Sequence, residues 1–278
     1  MICQRAAPSR ELRFNGRRVR WIEPSANAAI TRIEPITSFS KMLCIFILIG
    51  TMNMTGCGPS IDIWDAIDRE NESQIEAFAR EGGSLDFRES TRSSTPLLFA
   101  IHHGRKRSYF KMLELGANPN AFSSDGWSAI YEASRSEDVF WLTEALRHGG
   151  DPNLANANAT SQRSVTPLEC AIADGRLSNV KLLLGCGANI DYVDPVDGPP
   201  LCVAARRVQY EVAYYLLENN ANWQSPTLNK SMFLRVVQAH LRARPIPDLI
   251  QRQWFQKTLR WVAERGIDPG KIEFHFAE

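Results

Sequence analysis

The sequence predicts an all-α solenoid of about six helix-turn-helix units, on three observations. A short apolar motif recurs in register at residues 95–100 (TPLLFA), 128–133 (SAIYEA), 166–171 (TPLECA) and 199–204 (PPLCVA), at offsets of 33, 38 and 33 residues. A second apolar segment follows each copy and ends in a turn: Gly116-Ala117-Asn118-Pro119-Asn120, Gly149-Gly150-Asp151-Pro152-Asn153, Gly187-Ala188-Asn189-Ile190-Asp191 and Asn220-Ala221-Asn222. Degenerate copies flank these four on both sides. A fixed period of this length marks units that bury their apolar faces only by stacking on one another.

The elements follow in chain order. Ile63-Trp64-Asp65-Ala66-Ile67, with Ala77-Phe78 and Gly82-Gly83, aligns 34 residues before the next unit and forms a first, degenerate pair. In the regular units a proline at a first helical position starts the first helix without losing a hydrogen bond, and the preceding threonine caps it. Ala100, Ala133, Ala171 and Ala204 let stacked first helices approach closely. Met112/Leu113, Leu183/Leu184 and Leu216/Leu217 form the apolar face of the second helix. Gly116, Gly149 and Gly187 end that helix in the left-handed conformation, and Asn220, which tolerates it next best, takes the place in the following unit. Residues 232–241 and 254–263 form a last pair closed by Gly266, across a gap containing Pro245 and Pro247. The units lie near 60–90, 91–124, 125–160, 161–195, 196–226 and 227–270. The polar segment 156–163 (NANATSQR) is a five-residue expansion between the third and fourth.

The motif resembles the ankyrin repeat, whose pattern is Thr-Pro-Leu-His-x-Ala, a Val-x-x-Leu-Leu helix, then Gly-Ala-Asp/Asn-x-Asn. Several copies in phase make the likeness specific, where a lone Thr-Pro-Leu would mean little.

The chain has a different character before residue 57. Net charge is +1 over 278 residues, but residues 1–56 hold eight Lys or Arg against three Asp or Glu, a net +5, and residues 57–278 hold 24 against 28, a net −4. A mildly acidic array offers no basic stripe for nucleic acid. The apolar run at 42–52 is 11 residues long. A membrane-spanning helix needs about 20 such residues and a signal core about 7–15, so the length fits a signal. The run ends in Met54-Thr55-Gly56-Cys57, which resembles the lipobox of bacterial lipoproteins, with Met54 where a leucine is usual. The resemblance implies residues 42–56 as a signal peptide, Cys57 as the lipidated first residue, and, with Gly58 next, the periplasmic face of the outer membrane. Residues 1–41 then form an extension, and translation is expected to start nearer residues 36–42.

No HExxH, Cys-x-x-Cys, GxSxG, Walker loop or GxGxxG occurs, so neither an enzyme, a cofactor, a metal nor a small-molecule substrate is expected. Cys170, Cys186 and Cys202 are expected as three unpaired, packed thiols. Cys170 and Cys202 sit on neighbouring first helices, whose axes stack about 8–10 Å apart, beyond disulfide reach.

The resemblance to ankyrin arrays implies a protein partner on the concave side. There the first-helix positions are Phe99, His102, His103, Glu132, Arg135, Ser136, Cys170, Ala173, Asp174, Val203, Arg206 and Arg207. The loop tips are Phe122, Ser123, Ser124, Asp125, Trp127, Tyr192, Val193 and Asp194. The combination of lipobox and repeats resembles ankyrin-repeat immunity lipoproteins that bacteria pair with type VI secretion phospholipase effectors. It implies a protein that binds a toxic lipase at the membrane the toxin attacks. A scaffolding or adaptor lipoprotein of an envelope assembly is the second expectation.

Overall fold

A computed structural model describes residues 13–14, 17–18, 61–88, 94–156, 164–224, 232–242, 246 and 248–268. The apolar run at 42–52, the lipobox and Cys57 lie outside the described residues, as does most of the 156–163 expansion. Residues 4–60 group apart from residues 61–278. Within that first group strands β1 (Arg13–Phe14) and β2 (Arg17–Arg18) pair antiparallel, with Arg13 opposite Arg18 and Phe14 opposite Arg17.

From residue 61 onward the described residues form twelve helices in six consecutive pairs. They are α1 (Ile63–Asp68) and α2 (Glu72–Arg80), α3 (Pro96–His102) and α4 (Lys106–Glu114), and α5 (Ala129–Arg135) and α6 (Val139–Arg147). Then come α7 (Pro167–Ala173) and α8 (Leu177–Gly185), α9 (Pro200–Arg206) and α10 (Tyr210–Glu218), and α11 (Met232–Arg242) and α12 (Leu249–Ala263). Each first helix packs on the first helix of the next unit, and each second helix on the next second helix. This is the expected all-α ankyrin-type solenoid.

Local chemistry sets the boundaries. Thr95 and Thr166 cap α3 and α7, accepting from the backbone N–H of Leu98 and Glu169, and Glu169 completes a capping box. The expected threonine cap has no counterpart in the other two regular units. Ser128 makes no cap hydrogen bond and Pro199 has no side-chain oxygen. Asn220 adopts φ +64, as its place in the turn requires. The last helix starts earlier than residue 254, because Asp248 caps it at Ile250 N (2.7 Å).

The core is one continuous stack. Ala66, Ala100, Ala133, Ala171 and Ala204 are all fully buried, one in each of the first five units, where first helices meet. Met112, Leu113, Leu183, Leu216 and Leu217 are buried on the second helices, while Leu184 is only half-buried. Trp64 closes the first unit edge-on against Phe87 and Phe99. Each fully buried leucine contributes about 1.5–3 kcal/mol.

Polar side chains bind adjacent units. Ser108 Oγ donates to Ile67 O (2.9 Å), and Asn179 Nδ2 donates to Ser134 O (2.9 Å) and Ser136 O (2.8 Å). In each case a second helix satisfies the orphan carbonyls at the end of the preceding unit's first helix. Cys170 and Cys202 are free and buried, as expected. The expectation of a third free thiol is corrected: Cys186 is disulfide-bonded.

Candidate partner-binding surface

The first-helix residues form a row across the units because each helix presents positions i, i+3 and i+4 on one face. On α3 these are Phe99, His102 and His103. Phe99 is less available than expected: its ring stacks on His103 (3.9 Å between centroids) and meets Trp64 edge-on at 5.1 Å. His103 also lies 3.5 Å from Asp68 of the preceding unit.

From His102 a charged chain crosses three units. His102 Nε2 lies 3.8 Å from Glu132 Oε2, Glu132 Oε1 lies 3.6 Å from Arg135, and Arg135 Nε donates to Asp174 Oδ2 at 2.9 Å. The neighbouring His102 imidazole holds the Glu132 carboxyl below its ordinary value, and Glu132 holds the His102 imidazole above its own. Asp174 likewise raises Arg135. Alternating charge makes the row self-complementary. A partner must replace these contacts and not merely neutralise bare charges. Cys170 and Val203, expected on this exposed face, are buried instead, because their helices turn those positions into the stack.

The loop tips differ in rigidity and polarity. At the tip before α5, Ser123 and Ser128 are buried, Ser123 N donates to Trp127 O, and Trp127 stands edge-on to Tyr131 at 5.8 Å. At the tip before α9, Asp194 is buried and accepts from Ser164 N (2.6 Å), Val196 N (2.7 Å) and Asp197 N (2.6 Å). Asp194 and Gly198 also exchange backbone hydrogen bonds. Arg206, expected as an exposed contact residue, instead clamps this tip from α9 and donates to Asp197 O and Asp197 Oδ1. Arg207 is exposed at the end of α9, and Tyr192 is half-buried.

This pinned loop displays Val193 at 39% and Val196 at 50% exposure. Beside it opens a cavity of about 260 Å³, lined by Val193, Pro195, Pro199, Cys202, Trp223, Met232 and Phe233 among others. Burial pushes the Cys202 thiol up to about 12, so it faces the cavity as a neutral, apolar group. The sequence listing of tip positions reached Val193 but not the cavity, whose walls come from three units. The Asp194-Pro195 step was the available turn signal. Among the described residues no three His, Cys, Asp or Glu side chains gather in a way that would hold a metal ion.

Comparisons with known proteins agree with this architecture. A family model described as ankyrin repeat matches residues 165–195. Cyclin-dependent kinase inhibitor 2A of Monodelphis domestica is 30% identical over 130 residues, which are 47% of this chain and 73% of that protein. Protein PhlB of Serratia liquefaciens is 34% identical over 115 residues, 41% of this chain and 49% of PhlB. A mouse Ankyrin and armadillo repeat-containing protein is 25% identical over 159 residues, 57% of this chain. The chain thus spans about half the length of PhlB and 11% of the mouse protein. The crystal structure of the ankyrin repeat domain of Bcl-3 superposes with a TM-score of 0.60 at 22% identity, covering 77% of this chain and 88% of that one. Ankyrin repeats are protein-binding modules, and matching repeats, helix pairing and stacked alanines together place this chain in the ankyrin-repeat family.

Proposed function

We propose that the array is a binding module tethered to the periplasmic face of the outer membrane through a lipidated Cys57, and that its partner is a phospholipase effector which it neutralises. One observation carries the binding reading. The tip before α9 is held by Asp194 and Arg206 while it presents Val193, Val196 and an adjoining apolar cavity. A loop already ordered loses little conformational entropy on binding, and a pocket for an apolar anchor is the usual centre of an interface. The His102–Glu132–Arg135–Asp174 row on α3, α5 and the end of α7 supplies polar groups suited to a rim. The tether rests on the sequence pattern at residues 42–57 and the lipase on the resemblance to immunity lipoproteins.

The test has two arms. Radiolabelled palmitate is incorporated into the wild-type chain and not into Cys57→Ala. The purified chain inhibits a lipase encoded beside its gene, and Val193→Asp with Val196→Asp weakens that inhibition at least about tenfold, since two apolar contacts are exchanged for buried charges. Full lipase activity in the presence of excess chain would end the immunity reading. If envelope proteins bind the same tip and the lipase does not, the scaffold reading replaces it.

A further inference from the structure

Charge is unevenly distributed along the array. Helices α1 to α10 together hold ten acidic and eight basic side chains. Helices α11 and α12 hold Arg235, Arg242, Arg252, Lys257 and Arg260 and no Asp or Glu at all. The same pair carries the most exposed large apolar side chains among the described residues: Leu249 at 63% and Ile250 at 60%, with Leu241 at 40%. Leu241 is the next-to-last residue of α11, and the other two open α12.

The start of α12 is held in shape. Asp248 spends its carboxylate on the N–H groups of Ile250 (2.7 Å) and Gln251 (3.4 Å), which fixes Leu249 and Ile250 in the first helical turn. Arg252 donates twice to Ile246 O, from Nη2 at 2.8 Å and Nε at 3.1 Å. Lys257 lies over the Trp254 ring at 3.7 Å, and Arg265 over Trp261 at 3.4 Å. These contacts with carbonyls and rings are neutral, so they position the cations without cancelling their charge.

We infer that the exposed start of α12 docks on an anionic lipid surface, with Leu249 and Ile250 entering the boundary between headgroups and acyl chains and the cations of this helix pair meeting lipid phosphates. Exposed aliphatics accompanied by Lys and Arg are the arrangement that binds such a surface. An acidic protein would match the charge but would also need a shaped pocket for the two aliphatic side chains, whereas a bilayer needs none. The start of α12 uses none of the residues at the tip before α9 and does not depend on a lipid at Cys57.

The experiment uses the purified full chain carrying Cys57→Ala, so that no attached lipid contributes. Sedimentation is compared with vesicles of phosphatidylcholine alone and of phosphatidylcholine mixed with phosphatidylglycerol. The chain is expected to pellet with the mixed vesicles in low salt and to be released in high salt. The phosphatidylcholine arm measures any contribution of the apolar run at 42–52. Leu249→Ser with Ile250→Ser should lower the anion-dependent binding about tenfold. Arg242→Gln with Arg260→Gln, at exposed positions, should lower it comparably and weaken the salt dependence, with thermal melts confirming that both variants fold. Equal pelleting on the two vesicle types, or anion-dependent binding that neither variant weakens, would overturn the inference. So would binding to soluble polyglutamate with no binding to vesicles, which would assign the start of α12 to an acidic protein.

Discussion

One hydrogen-bond donor separates Asn153 from Asp191, which hold corresponding places in successive turns. Asn153 donates to Gly187 O at 2.9 Å and accepts from Asn189 N at 2.7 Å, so one side chain ties two turns together. Asn120 does the same with Gly149 and Asp151. Asp191 accepts from Asn222 N at 2.7 Å and has no N–H to give. Asn153→Asp should therefore cost about 1 kcal/mol, read as a lower urea midpoint with an unchanged slope. His102 makes a second, pH-dependent case. Its folded-state pKa is raised above the ordinary 6.5, chiefly by the Glu132 carboxylate 3.8 Å away. The stability it adds is thus complete below 6.5 and is lost as pH rises through the folded value. Glu132 is lowered from 4.5 by the same neighbour, so its contribution is lost as pH falls through its folded value. The pair should stabilise the array most between about 4.5 and 6.5. Urea melts of wild type and His102→Gln should differ most near pH 5.5 and converge as pH rises beyond the folded value of His102. A constant difference across that range would show that the pair contributes nothing through ionisation.

At the scale of elements, the third unit shows how the stack manages an interruption. Tyr131 is fully buried in α5, and its hydroxyl is shared between Leu154 O at 2.8 Å and Val165 O at 3.1 Å. Those carbonyls stand on either side of the expansion at 156–163, and Asn156 N donates to the same Val165 O at 3.0 Å. One phenol in the preceding unit thus closes the base of an insertion, and the period resumes after it. Tyr131→Phe keeps the ring and removes the clasp. It should cost about 1–3 kcal/mol, because Leu154 O loses the phenol and Val165 O keeps only the N–H of Asn156, and it should raise proteolytic cleavage within 156–163. Gly150 makes a different demand. A Cβ there would lie 2.8 Å from Ala145 O and 2.8 Å from Ile130 Cδ1. Gly150→Ala should accordingly lower the melting temperature, whereas Asn220→Gly, at φ +64, should leave it within about 1 kcal/mol of wild type.

From residue 61 onward the described helices form a stack in which each unit packs on its neighbours. Stability in such an array is close to a sum of unit and interface terms. A cavity in the middle should therefore uncouple the two ends. Leu168, 1% exposed in α7, is the place to test this. Leu168→Ala should cost about 2–5 kcal/mol and broaden urea unfolding into two phases, with hydrogen exchange rising first in α7 and α8. A single sharp transition at lower urea would show that the units unfold as one block.

How much was legible beforehand follows the same scales. The six units, the alanine stack, the left-handed Asn220 and the absence of any catalytic motif can be read from residues 61–268, because a repeat states its local code several times and each copy checks the others. Phe99, His102, Glu132, Arg135 and Asp174 were also placed on first-helix faces by counting along helices. Their contacts were not, since His102 meets Glu132 and Arg135 meets Asp174 only after neighbouring units have stacked. The sequence by itself determined a protein-binding array of stacked helix pairs. Only the tertiary structure decided that Phe99 and Arg206 serve the fold, that the charged row satisfies itself, and that an apolar cavity opens beside a loop locked by Asp194. Helix period and turn chemistry act over a few residues and repeat themselves, whereas these contacts join residues brought together by packing, where chain spacing carries no signal.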